Sequence, residues 1–482
     1  MRPSAFASLR LTALAAAFTA TAAACARNPV TGQLEPALIS ESQEVEMGRQ
    51  AAVDVQQSIG LVEDDALQRY VQEIGASLAA GSQRPDLPWT FRVVDDPTPN
   101  AFALPGGFIF VTRGMLNLME NEAQLASVLG HEIGHVTARH SVQMISRQQL
   151  AQLGLGIGMI LVPELQQFGD LAATGLQLLF LRYSRDAEHQ SDELGYTYAR
   201  AQGYDVREMP QVFASLARVS QLEERSPLPE WLSTHPYPEE RIERINARLQ
   251  QSDESYASLR DDRQEYMGRI EGLVYGEDPR EGYFQGSTFI HPELRFRMTF
   301  PSGWQVRNTK SAVIATSPQQ DAAIQLTLAQ QSSPDAAAQA FLAQQGIQPG
   351  QASRETVNSI PAVAATFQAN TQQGVVQGLV VFLGHGGNVY QVMGFSPAQI
   401  YAQHDRVFRQ SLGSFGPVTD PALLSVEPAR IEVVRADRAM TLAEFNQRYP
   451  STIPLEELAI INQVTTNSTI PAGTLVKRVA KP

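Results

Sequence analysis

The sequence has one cysteine, Cys25, so no disulfide can staple the chain internally. It has no block of lysines and arginines: 50 acidic residues outnumber 37 basic ones, for a formal net charge of −13. That balance argues against nucleic acid as a partner and against electrostatic attraction to anionic lipid. It also lacks an unbroken apolar run of the roughly 20 residues needed to span a bilayer. Its two most apolar stretches, residues 153–162 and 171–181, are each shorter than that and are interrupted by Pro163, Glu164 and Asp170. They read as buried helices or a lid over a cleft, with a membrane-dipping pair as the alternative. The remaining composition, 43% apolar and 18% charged over 482 residues, is globular and too long for one core, so two or three domains are expected.

Residues 1–24 combine Arg2 and Arg10 with an alanine-rich apolar run, the layout of an export signal. Cys25 follows Ala22-Ala23-Ala24 directly, which reads as a bacterial lipoprotein signal cleaved before the cysteine, although Ala22 stands where a leucine is usual. Plain secretion is the alternative. An acyl group on Cys25 would anchor the chain to a membrane without any spanning helix. By resemblance to known sorting signals, Ala26 rather than Asp after the cysteine favours the inner leaflet of the outer membrane.

The most informative stretch is His131-Glu132-Ile133-Gly134-His135, within residues 122–140. Leu125, Val128, Leu129 and Ile133 recur with helical period, so a helix is expected here with the histidines on its more polar side. Residues four apart on a helix share a face, so His131 and His135 can direct two imidazole nitrogens at a single metal ion. Glu132, beside the first of them, is placed to take a proton from water activated by zinc. Gly130 and Gly134 each cost a helix roughly 1 kcal/mol relative to alanine, which close packing or a bound substrate would explain.

A zinc site needs a third protein ligand. Ser141 stands ten residues after His131, where a metzincin has its third histidine, and Ala138 replaces that class's glycine. The run 184–192 offers an alternative, because Glu188 and Asp192 are four apart on an expected helix. Glu188 would bind the metal and Asp192 would accept the other ring N–H of a ligand histidine. His189 is a rival ligand that points about 100° away from Glu188 on that helix.

This combination, HEIGH followed by Ser184-Arg185-x-x-Glu188-x-x-x-Asp192, resembles the gluzincin zinc proteases of the CAAX prenyl protease family, with its HtpX, Oma and BepA branches. Two further segments resemble that family, Asn100-Ala101-Phe102-Ala103-Leu104-Pro105-Gly106-Gly107 and His235-Pro236-Tyr237-Pro238-Glu239-Glu240-Arg241. The tether beginning Asn28-Pro29-Val30-Thr31-Gly32 is similar to its lipoprotein branch. The resemblance runs over residues 33–249. It implies that Asn100 and Ala101 lie in a strand that holds substrate, the alternative being a purely structural hairpin. It also implies that His235 lies over the active site, either as an oxyanion donor or as a fourth zinc ligand that keeps the enzyme latent.

Helical patterns cover 40–59, 64–80 and 239–251, and the β-forming runs 89–94 and 108–112 read as a hairpin around the turn at 105–107. From Phe289 onward strand-like runs at 294–300, 312–316, 323–328, 378–383 and 389–394 alternate with helical patterns at 335–345 and 398–411. With Phe300-Pro301-Ser302-Gly303-Trp304 this order resembles the α/β fold of PsbP/Mog-like domains. The last segment, a strand at 431–434, helices at 441–448 and 455–462 and a strand near 475–477, resembles a LysM module, which implies either peptidoglycan binding or the fold without the sugar.

The expected fold class is therefore α+β and multidomain. A signal peptide at 1–24 and a tether at 25–39 precede a mainly helical zinc metalloprotease domain with a small β-hairpin sheet at 40–265. A linker at 266–288, a PsbP/Mog-like α/β domain at 289–418 and a LysM-like module at 429–480 follow. The family resemblance implies one zinc ion per chain and a lipid-anchored periplasmic metalloendopeptidase acting on misfolded or stalled envelope proteins. The alternative is a non-catalytic envelope chaperone or peptidoglycan-binding scaffold, against which the intact motif and Glu188 count.

Overall fold

The computed structural model describes residues 25–152, 182–222, 230–252, 255–371 and 374–481. The expected signal segment 1–24 and the apolar stretches 153–162 and 171–181 lie outside the described residues. The chain is a mixed α and β, multidomain protein of two compact units. One comprises Met1–Gln56, Gly60–Gly276 and Arg430–Ala480, and the other centres on Glu277–Ala429.

The first unit is built around the helix Glu122–Thr137. Asn121 caps its start by accepting the Gln124 N–H, and Arg139, with φ of 60°, turns the chain into the next helix, His140–Gln152. The expected polar face does not exist: every residue from Glu122 to Thr137 is buried. Other elements cover it all round, the helices Asp65–Ala80 and Arg185–Ala201 and a three-stranded sheet among them. The glycines explain how one of these neighbours comes so near. A methyl group on Gly134 would stand 3.0 Å from Ser191 Cα, and one on Gly195 only 2.8 Å from the backbone nitrogen of His131. Close packing is thus the reason for the glycines, and it draws the Arg185–Ala201 helix onto the motif.

The sheet corrects the expected hairpin. Thr90–Val94 pairs with Phe108–Thr112 in parallel, and the antiparallel partner of Phe108–Thr112 is Ala101–Leu104. All four residues of Ala101–Leu104 are buried, so the segment has no alternation by which to recognise a strand. It forms one edge of the sheet, packed on the motif helix.

Residues 25–39 are folded onto this body. Cys25–Arg27 pairs with Leu34–Pro36, and the Asn28 amide donates to the Ala138 carbonyl at 3.1 Å, just past the end of the motif helix. At the same helix end, buried Arg84 donates to the Val136 carbonyl and pairs with buried Glu44 at 2.7 Å, a favourable place for a cation. Where a linker was expected at 266–288, the helix Arg263–Ile270 buries Tyr266, Met267 and Ile270, and the Tyr266 hydroxyl donates to the Leu116 carbonyl at 2.6 Å.

The chain returns to this unit at its C-terminal end. Arg430–Arg435 pairs antiparallel with Leu475–Ala480, and the helices Leu442–Arg448 and Leu455–Ile461 lie between them in sequence, the expected β-α-α-β order. Lys477 is fully buried, its ammonium donating to the carbonyls of Asn117 and Met119 at 2.9 and 2.7 Å and pairing with Glu120 at 3.1 Å. Gln463 and Gln124 hydrogen-bond at 2.8 Å. The module is thereby fastened to the turn that leads into the motif helix.

The second unit holds a four-stranded sheet of Gly416–Pro417, Phe296–Thr299, Thr288–His291 and Tyr283–Gln285, and a seven-stranded antiparallel sheet in the order Ile347–Val357, Ile360–Thr371, Gly374–His385, Asn388–Pro397, Ala323–Ala329, Ala312–Thr316, Gln305–Asn308. One apolar cluster includes Tyr401, Phe408 and Leu412 of the helix Tyr401–Leu412, and another includes Ala337, Ala338 and Phe341 of the helix Pro334–Leu342. Alternate residues of Ile360–Thr371 enter the two clusters, so both faces of the sheet are covered.

Candidate active site

The motif helix and the Arg185–Ala201 helix, brought together by their small residues, place four side chains in one buried cluster. Potential ligand atoms of His131, His135, Glu188 and His235 lie within 4.8 Å of one another. Glu188 sits in the first turn of its helix, after the capping residue Ser184. Its carboxylate oxygens are 3.5 Å from His131 Nε2 and 3.4 Å from His135 Nε2.

Hydrogen-bond partners decide which ring nitrogens carry protons. His131 Nδ1 lies 2.9 Å from Asp192 Oδ1, an acceptor, so it carries the proton and leaves Nε2 bare. The Arg241 guanidinium, 3.2 Å from the same nitrogen, is itself a donor. His140 Nε2 donates to Gln190 Oε1 at 2.9 Å, which leaves His140 Nδ1 as an acceptor for the Nδ1–H of His135, also at 2.9 Å. Two bare Nε2 atoms therefore face each other across 3.0 Å with no proton between them. Burial holds His131 down to about 4 and His135 well below its ordinary value, so protonation does not relieve the contact. A cation would, and this donor set of two imidazoles and a carboxylate fits zinc.

Beside the cluster, neither carboxylate oxygen of Glu132 has a hydrogen-bond partner although the residue is fully buried. The Ala103 main chain is close enough to help hold its charge without a bond of ordinary geometry, and His235 Nε2 is 3.6 Å away. Burial pushes the carboxyl up to about 7. Glu188 differs: burial alone would raise it, but His235 and Arg241 hold it well below the usual carboxylate range.

His235 follows the helix Glu230–Thr234 and stacks on Trp231, centroids 4.9 Å apart. Its Nδ1 is 3.0 Å from Glu188 Oε1 and 3.2 Å from His131 Nε2, inside the ligand cluster. Burial works against a charge on the ring, but Glu188 and Glu132 raise its pKa above the ordinary value. Asn100 precedes the edge strand, its Oδ1 buried and without a partner, and Ala101 opens that strand. Cys25 begins the short strand Cys25–Arg27. His189 faces Glu240 at 3.3 Å, away from the cluster.

With this geometry in place the similarities can be weighed. Residues 65–249 match Peptidase family M48. That stretch contains all four residues of the cluster. The chain is 31% identical over 231 residues to the beta-barrel assembly-enhancing protease of Yersinia pestis, 46% of this chain and 47% of that one. It is 33% identical over 179 residues to the mitochondrial metalloendopeptidase OMA1 of Arabidopsis thaliana, 36% of this chain and 35% of that one. The chain thus spans about half the length or less of the relatives it matches. Part of it, 28%, aligns with 95% of a cyanobacterial PsbP structure from Synechocystis, at 11% identity and a TM-score of 0.23.

Several residues that shape the site went unassigned in the sequence. His140 sets the tautomer of His135, yet it follows a helix break at Arg139 and so shows no regular spacing from it. Tyr183 stacks on His135 with centroids 3.8 Å apart, its hydroxyl bonded to Ser141. Arg241 binds Asp192 at 2.6 Å and Glu188 at 3.1 Å, its guanidinium lying over Phe213 and Trp231. It belongs to the segment beginning His235-Pro236, and an arginine directly after paired glutamates was the available signal.

Proposed function

We propose that this chain is a zinc-dependent endopeptidase of the bacterial cell envelope that hydrolyses misfolded or stalled periplasmic and outer-membrane proteins. The observation that carries the reading is the pair of imidazole nitrogens 3.0 Å apart, flanked by Glu188 and by a buried Glu132 whose oxygens accept no hydrogen bond of ordinary geometry. His131, His135 and Glu188 would hold one zinc ion per chain, the three-ligand pattern of catalytic sites. Bound there, zinc supplies Lewis acidity and makes water a nucleophile at neutral pH. Glu132 takes the proton of the attacking water and later delivers it to the leaving amine. Asp192 and His140 keep Nδ1 of the two histidines protonated and their rings oriented. The edge strand Ala101–Leu104 holds an extended substrate through main-chain hydrogen bonds, and Asn100 Oδ1 accepts a substrate N–H. A non-catalytic scaffold has no use for a buried, unpartnered glutamate. The test is casein degradation: a chelator should abolish it and one equivalent of zinc restore it, and cleavage undiminished by chelator would end the reading.

His235 takes the latent-ligand role in this proposal, because its Nδ1 lies among the ligand atoms. His235→Ala should then raise the initial rate on casein with zinc retained. A fall in turnover of about 10²- to 10³-fold would instead assign His235 to the oxyanion.

The envelope location rests on the export-signal layout before Cys25 and on the similarity to assembly-enhancing proteases. Acylated Cys25 anchors the mature chain, and Cys25→Ala should move it to the soluble periplasmic fraction. Mass spectrometry finding a free thiol in mature protein would remove the anchor. Residues 289–418 are proposed to be a PsbP/Mog-like domain that serves in binding or in packing against the protease. Residues 429–480 are proposed to be a LysM-like module, which either binds peptidoglycan glycan or keeps the fold without the sugar.

A further inference from the structure

We propose that a cavity lying where the M48 domain meets the C-terminal module is a second subsite for the polypeptide substrate. It takes an apolar side chain next to a cationic residue, about four residues from the bond that is cut. The proposal rests on the peptidase reading given above.

The cavity has a volume of about 400 Å³, within the range of roughly 300–1,000 Å³ typical of ligand sites. Its walls are Pro97, Pro99, Leu118 and Val219 from the M48 domain and Ile460 and Ile461 from the helix Leu455–Ile461. Glu457 is the one charged group among the lining residues. Its Oε1 accepts the Tyr275 hydroxyl at 2.7 Å, which leaves the second oxygen for a ligand cation. Asn117, also in the lining, is buried and its Oδ1 has no partner. Acceptor groups over an apolar wall, with no basic residue in the lining, select a donor-bearing ligand with an apolar body.

Position argues that this ligand is the substrate chain. Pro99 is two residues before Ala101, and a chain reaches at most about 3.6 Å per residue, so this wall lies within about 7 Å of the start of the edge strand. Ala103 of that strand lies beside Glu132. A polypeptide paired along the strand advances about 3.3 Å per residue. Running from Ala103 back to Pro99, it would arrive at the cavity some four residues from the point opposite Glu132.

The experiment uses full-length, zinc-loaded protein and reduced, carboxymethylated casein, with cut bonds mapped by mass spectrometry. For the wild type, Leu, Ile or Phe beside Lys or Arg should be enriched three to five residues from the cut, on one side only. Val219→Trp, which fills the cavity from the helix Met209–Leu222, should erase that enrichment and raise KM at least threefold while kcat stays within twofold. Glu457→Gln preserves shape and should remove only the preference for the basic residue, which tests the subsite even if the tryptophan variant does not fold. A wild type that cuts casein with no preference at those positions, or variants that retain it, would overturn the subsite and leave the peptidase reading standing. A wild type that cuts no casein would overturn both.

Discussion

Glu132→Gln should lower casein cleavage by a factor on the order of 10³ or more while leaving one zinc per chain, since removing a general base typically costs about 10²–10⁴-fold. Glutamine keeps the shape of glutamate but cannot accept a proton. The proposed ligand atoms belong to His131, His135 and Glu188, none of which is hydrogen-bonded to Glu132, whose carboxylate stands 3.6 Å from His235 Nε2. Because the native carboxylate makes no hydrogen bond of ordinary geometry, the substitution breaks none, and folding should be little changed. Metal analysis beside initial rates separates the possibilities. Metal lost together with activity would move Glu132 into the ligand set, and unchanged cleavage would remove it from the chemistry.

Lys477→Ala should destabilise the whole first unit, by about 3 kcal/mol. Removing one partner of a buried ion pair typically costs about 3–5 kcal/mol, because the other charge is left in a dry site. Here the ammonium also satisfies the carbonyls of Asn117 and Met119, each of which would lose its donor. Arg263 also pairs with Glu120, which places the expectation at the low end of that range. Denaturant unfolding followed by first-unit tryptophans such as Trp89 and Trp231 measures it. An unchanged midpoint would mean that the C-terminal module folds apart from the protease body and contributes nothing to it.

The candidate site was legible in the sequence wherever it depends on local spacing. The pairs His131/His135 and Glu188/Asp192 are each four residues apart on one helix, so a single rule finds them, and Gly130 and Gly134 announced the close approach that joins the helices. What stayed hidden depends on long-range placement. His140 reaches His135 only because the chain turns at Arg139, and the parallel pairing of Thr90–Val94 with Phe108–Thr112 leaves no trace in either strand alone. Ile347–Val357 is exposed along most of its length and contains Pro349 and Gly350, so it shows neither strand period nor apolar content. The C-terminal module showed its own elements clearly but nothing of where it docks, since a buried lysine looks like any other in a sequence.

That docking has a consequence for how the protein is made. Translation proceeds from the N-terminus, so the HEIGH helix is synthesised long before Lys477, which holds the turn leading into it. A growing or prematurely ended chain therefore carries every proposed metal-binding and proton-transfer residue but not the contact that Lys477 makes with that turn. If hydrolysis depends on that contact, activity begins only once the final strand has been delivered, and truncated products of the gene are inert rather than stray proteases among other unfolded chains.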